Sequence, residues 1–244
     1  MSRNIVFAAA TAAMLGAPGT VGACNEDQLT HPSVRAALEY FEPALDAGFL
    51  PFLIQLRRPA PPPIFRAKVM KDLPKEGNLA PTAQEAVKLA ILPVVLAFHG
   101  RKDDMEFRLV AGGGLAFAGL EQRTVLLITR EALELLDRDE LMAVAAHELG
   151  HDYVSDEYEE AQKRGDHHRL QELELRCDGI AIITMDRLGV DLARLVSAAT
   201  TLRRHNQRIF GKTDDGRYVP LDQRIQFIRA MAGLTARNAI QRSR

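Results

Sequence analysis

Apolar positions along this chain fall into three spacings, and each predicts a different kind of element. From 139 to 149, apolar residues at Leu141, Val144, Ala145 and Leu149 follow a helical period, which predicts a buried helix with Asp137 and Asp139 as candidate caps at its start. A second helical stretch runs from about 168 to 188. Near the start, Val34, Leu38, Phe41 and Leu45 mark residues 32–49 as an amphipathic helix. Residues 107–118 and 124–129 (TVLLIT) read instead as strands separated by glycine-rich turns. Residues 57–81 hold Pro59, Pro61, Pro62, Pro63, Pro74 and Pro81, so they form a loop-rich connector, interrupted by a short strand over 65–70. The apolar run 89–98 contains Pro93 and is only ten residues long, too short to span a membrane, so it reads as a core element.

Composition narrows this picture only a little. A chain of 244 residues with 47% hydrophobic and 26% charged residues can bury one sizeable core. The formal net charge of -1 gives no electrostatic reason to expect nucleic acid, and the Arg pairs at 57–58 and 203–204 are isolated and read as solvated surface. There are no internal repeats.

The first residues read as a targeting signal. Arg3 precedes an apolar and small-residue stretch over 5–17, and Val21-Gly22-Ala23 offers small residues before Cys24. The expected organisation is a signal peptide at 1–23, an N-terminal helix and Pro-rich connector at 24–81, and one catalytic-size domain at 82–244. With only Cys24 and Cys177 present there is no disulfide framework. Cys177 reads as a buried, apolar-like cysteine, although its place three residues from Glu174 makes a thiolate ligand geometrically thinkable.

The chemistry is concentrated in His147-Glu148-Leu149-Gly150-His151. Histidines four residues apart project from one side of a helix, so both can reach one metal ion. Glu148 beside them can take a proton from a water held by that ion. A catalytic zinc site needs a third protein ligand and an open position. Glu174 on the second helical stretch supplies the candidate third ligand, and Asp178 one turn later is placed to accept a hydrogen bond from a ligating histidine's other nitrogen. Gly150 permits a neighbouring segment to approach closely.

H-E-L-G-H followed by Glu174-x-x-x-Asp178 resembles the gluzincin metallopeptidases, specifically the HtpX-type family related to CAAX prenyl proteases. Residues 124–136 resemble the strand and short helix that precede the zinc helix there, and residues 178–195 resemble the helix, Gly-x-Asp turn and helix that follow the third ligand. The resemblance covers roughly 105–232. It implies a mainly helical α+β fold with a small sheet beside the zinc helix. It also implies one zinc per chain on His147, His151 and Glu174, and Glu148 as general base. In such enzymes an edge strand pairs with the peptide substrate, and residues 124–129 resemble that strand, with a merely buried strand as the alternative. Two departures stand out. Cys177 lies where the family usually has Ala, and the family's His-Pro before an Arg is here Tyr218-Val219-Pro220 with Arg224 one residue closer to the Pro.

His31, His99, His167, His168 and His205 have no ligand spacing among themselves and read as surface or hydrogen-bonded residues. His205 and Tyr218 are the candidates for stabilising the oxyanion. The resulting expectation is a zinc endopeptidase exported to the bacterial cell envelope, in the periplasm or on a membrane, anchored by lipid on Cys24 and acting on unfolded envelope proteins. A plain secretory signal cut after Ala23 is the alternative to lipidation. Alternatives for function are a cytoplasmic regulatory protease, a zinc-stabilised chaperone or binding module that does not cut, and a helical protein with a chance motif.

Overall fold

The computed structural model describes residues 31–73, 78–211 and 218–242, with side chains to residue 236; the leader at 1–23 and Cys24 lie outside the described residues. In chain order the elements are α1 (Pro32–Tyr40), α2 (Pro43–Ala47), α3 (Phe49–Leu56), α4 (Pro63–Asp72), α5 (Ala83–Leu89), α6 (Leu92–Phe98), β1 (Glu106–Val110), β2 (Ala118–Glu121), β3 (Val125–Thr129), α7 (Arg130–Leu135), α8 (Arg138–Arg164), α9 (His167–Leu188), α10 (Ala193–Phe210) and α11 (Leu221–Arg242). The fold is mainly helical, with one small sheet lying against α8. Among the described residues, no helix is long and apolar enough to cross a membrane.

Helices α8 and α9 form a hairpin that carries the motif residues. Asp137 opens α8 with a capping box: its carboxylate accepts from the Asp139 and Glu140 N–H groups, and Glu140 accepts from the Asp137 N–H. Gly165 ends α8 in the left-handed conformation at φ 66°, and Asp166 caps α9 through the Arg169 N–H. The two backbones touch at Gly150. A Cβ there would stand 2.7 Å from Cys177 Cα, so only glycine allows this crossing. The crossing lies next to His151 on one helix and between Glu174 and Asp178 on the other, which is how residues far apart in sequence meet.

Two short helices, α1 and α2, replace the single helix expected over 32–49, and a third, α3, follows over residues for which the sequence predicts no element. Pro43 lacks the N–H that a continuous helix requires and opens α2 instead, and Gly48 at φ 89° ends α2. Phe41, Phe49, Phe52 and Leu53 nevertheless enter the same core as Leu141, Leu149 and Ile180. At Gly179 a Cβ would meet the Phe41 ring at 2.4 Å, so α1 seats on α9 through the missing side chain.

Two strand expectations need correction. Residues 65–70 are helical within α4, which starts at Pro63 with its preset φ and buries only Val69. Residues 124–129 are not an edge: β3 is central in the order β1-β3-β2, parallel to β1 and antiparallel to β2, and all five of its residues are buried. The sheet's edge beside α8 is β2.

Candidate metal centre

His147 and His151 stand one turn apart on α8, with ring centroids 5.3 Å apart and nearly perpendicular planes. Glu174 on α9 faces both. Its Oε2 lies 3.3 Å from His147 Nε2, and its Oε1 lies 4.0 Å from His151 Nε2. The ligand atoms of these three residues all fall within 4.8 Å of one another. Zinc bonds of about 2.0–2.2 Å in tetrahedral array put ligand atoms roughly 3.3–3.5 Å apart, so small side-chain shifts complete the geometry. The donor set fits zinc, and the buried Glu174 Oε2 makes no hydrogen bond despite its neighbour, as an oxygen reserved for a cation would.

Behind the cluster His147 Nδ1, Glu174 Oε1 and both Asp178 oxygens are held. His147 Nδ1 donates to Asp178 Oδ1 at 2.9 Å, which leaves Nε2 turned toward Glu174. Asp178 is fully buried, and Arg224 on α11 donates from Nε and Nη2 to its two oxygens at 2.6 Å each. Tyr158, one further turn pair along α8 from His151, donates its hydroxyl to Glu174 Oε1 at 2.7 Å. Neither Tyr158 nor this use of Arg224 was read from the sequence. Tyr158 sits seven residues after His151, the spacing that returns to the same helix face, which is the signal that was available.

The charges settle accordingly. Burial disfavours the His147 imidazolium, but its hydrogen bond to Asp178 and its charge contacts with Asp178 and Glu174 prevail and hold its pKa up at about 10. Burial works against the Glu174 and Asp178 carboxylates as well. His151, His147 and Tyr158 bring Glu174 down to about 2, and Arg224 and His147 bring Asp178 to about 2. In the metal-free site a proton on His147 therefore does part of the work of a cation.

Glu148 is different. Its carboxyl is pushed up to about 8, first by burial and then by Glu174, against the opposing pull of His147, the Leu120 backbone N–H and Arg224. It stands beside the ligand set without belonging to it. A carboxyl poised near neutrality at this place is suited to taking and returning a proton.

The hairpin joining β2 to β3 is tied to the same helix. Gln122 and Arg123 both adopt positive φ, 49° and 58°, which costs non-glycine residues about 1–3 kcal/mol each. Arg123 offsets this by donating to Asp152, the residue after His151, at 2.5 Å, and to the Pro59 carbonyl at 3.0 Å. Arg101 meets the other Asp152 oxygen at 3.1 Å.

The remaining sequence candidates take other positions. His205 Nε2 lies 2.9 Å from the Gly114 carbonyl, an acceptor only, so that nitrogen carries the proton and donates it there. Tyr218 has its ring 5.9 Å from the Arg224 guanidinium, close to the buried network. Cys177 is buried, and burial together with Glu174 raises its thiol well above the ordinary value. It behaves as a core residue. His99 is likewise a core residue, bonded to Tyr153 at 2.8 Å and Thr184 at 3.0 Å.

Residues 82–171 match the family model of peptidase family M48, in agreement with the resemblance to HtpX-type gluzincins. The matched segment contains the sheet, His147, Glu148 and His151 and ends three residues before Glu174. No curated protein matches the chain significantly.

Proposed function

We propose that this protein is a zinc-dependent endopeptidase. The observation that carries the reading is the convergence of His147, His151 and Glu174 on one point, with the Glu148 carboxyl beside them and outside the ligand set. The family match supports a metallopeptidase hydrolase, and the donor set favours zinc. Bound there, zinc supplies Lewis-acid polarisation of a scissile carbonyl and makes water a usable nucleophile near neutral pH.

The chain's own residues do the rest. Asp178 fixes the His147 tautomer and ring, Arg224 fixes Asp178, and Tyr158 orients Glu174. Glu148 accepts the proton of the attacking water and returns it to the leaving amine. The outer edge of β2 offers the Leu120 carbonyl to an extended peptide next to Glu148, which suits sequence-tolerant cleavage. For the oxyanion the candidate is Tyr218, whose ring lies 5.9 Å from the Arg224 guanidinium beside the buried network; His205 donates to the Gly114 carbonyl.

We further propose export to the bacterial cell envelope, a lipid anchor on Cys24, and misfolded or unassembled envelope proteins as substrates. The leader pattern ending in Val21-Gly22-Ala23-Cys24 supports the first two, and the family resemblance supports the third. The test is metal analysis with a casein-type cleavage assay, with and without chelator. One zinc per chain and chelator-sensitive cleavage are expected, and Glu174→Ala should lose most of the metal. Full zinc in Glu174→Ala would place the third ligand elsewhere.

A further inference from the structure

The outer edge of β2 is already partly occupied. The Thr129 N–H donates to the Phe117 carbonyl at 3.0 Å, which sets the phase of pairing: odd residues of this segment turn their main-chain groups to β3, and even residues turn theirs away. Among the even residues, Leu120 directs its N–H to Glu148 and is partly exposed. Ala118 is only 3% exposed. Ala116, where a fourth strand would continue, is bonded on both sides by one side chain: its N–H donates to Asn206 Oδ1 at 2.9 Å, and Asn206 Nδ2 donates to its carbonyl at 2.8 Å. A primary amide used this way presents the same donor and acceptor pair as a strand residue.

The segment is also pinned against swinging away. Glu131 accepts from the Gly112 and Gly114 N–H groups at 3.0 and 2.8 Å, and His205 holds the Gly114 carbonyl. Asn206 itself is buried on α10.

We infer that Asn206 is a specificity-determining residue, a built-in substitute for substrate backbone that closes the Ala116 end of the peptide-binding edge, so that main-chain pairing on that side begins at Leu120. Main-chain bonds on an edge recur every second residue, and Leu120 to Ala116 spans about 13 Å. A substrate therefore gains nothing from backbone pairing two residues beyond the position opposite Leu120 in that direction, where Ala118 is buried, or four residues beyond, where Asn206 already bonds Ala116. The enzyme reads a short stretch there, which fits substrates with only brief extended segments. The inference rests on the peptidase reading of the site.

The test is an N-methyl scan along a cleavable peptide, with binding measured by fluorescence anisotropy and turnover measured in parallel on the zinc-loaded protein. Methylation of the amide that faces Leu120 should weaken binding about tenfold or more. Methylation two and four residues further toward the Ala116 end should change it less than about twofold. In Asn206→Ala, peptides lengthened toward that end should bind at least about threefold tighter than short ones, a length dependence missing from the parent. A purely structural role would lower all lengths alike.

Strong penalties at the distant positions of the parent, or the same length dependence in parent and Asn206→Ala, overturn the inference. The parent scan decides it alone if Asn206→Ala does not fold. Binding without any cleavage sinks the peptidase reading and still leaves the scan decisive, and no binding at all removes the edge as a peptide site.

Discussion

Arg224 holds Asp178 by both carboxylate oxygens, with its Nε on Oδ2 and its Nη2 on Oδ1, each at 2.6 Å. One of those oxygens also accepts from His147, so α11 sets the ring of a zinc ligand on α8 through a carboxylate on α9. Arg224→Met keeps much of the volume and removes the charge, leaving a fully buried carboxylate with half its partners. Breaking such a pair costs about 3–5 kcal/mol, and loss of an outer partner weakens metal binding about 10–100-fold. Urea denaturation of the metal-free protein and chelator competition should register both. A variant as stable and as tight as the parent would reduce Arg224 to filler.

Acidity should govern zinc uptake. The His147 pKa of about 10 in the folded protein exceeds its ordinary 6.5, so this group's stabilisation of the metal-free fold is fully present below pH 6.5 and fades as pH rises through 10. Zinc has to displace that proton. Affinity should therefore rise roughly tenfold per unit from pH 7 to 9, as chelator competition at three pH values can measure. A flat profile would mean that His147 is already neutral before zinc arrives.

Much of the site is legible in sequence because helical spacing is a local rule. His147 and His151 four apart, and Glu174 and Asp178 four apart, need only one face of a helix each. What spacing cannot supply is which strand ends up at the edge. β3 is the most apolar run of the sheet and draws the eye, yet a mostly apolar, fully buried strand is what a central position requires. The real edge, Ala-Gly-Leu-Glu, has low strand propensity and takes its conformation from β3. Arg224 and Asn206 are harder still, because their partners lie 46 and 90 residues away.

The helix crossing should be intolerant of a single methyl. In Gly150→Ala the new carbon would stand 2.7 Å from Cys177 Cα, a backbone atom that cannot rotate aside. Overpacking of this kind costs about 1–3 kcal/mol. Because the helices must separate, zinc affinity should fall along with thermal stability. Cys177→Ala keeps the crossing and should retain full zinc content. Zinc loss in Cys177→Ala would make the thiol a ligand after all.

Anchoring is testable apart from catalysis. If Cys24 carries lipid, mass spectrometry of the membrane fraction should find a diacylated residue at the start of the mature chain, and Cys24→Ser should move the protein to the soluble fraction. A mature chain beginning at an unmodified residue would favour simple secretion after Ala23.

Glu148→Gln separates cutting from holding. The side chain is buried beside the ligands without being one, and glutamine keeps its size while losing the ability to accept the proton. Burial already favours the uncharged carboxyl below about pH 8, so a neutral amide places no new strain on the metal-free fold. Zinc content and melting temperature should stay close to the parent's. Cleavage should drop by about two to four orders of magnitude, the usual consequence of losing a general base. That drop is far larger than packing changes could cause in a variant that still folds and loads metal. Equal rates in both proteins would rule out Glu148 as the base. If neither cuts any peptide tested, while both retain unfolded chains only when zinc is present, the site is a binding module and its glutamate serves the edge of β2 through the Leu120 N–H.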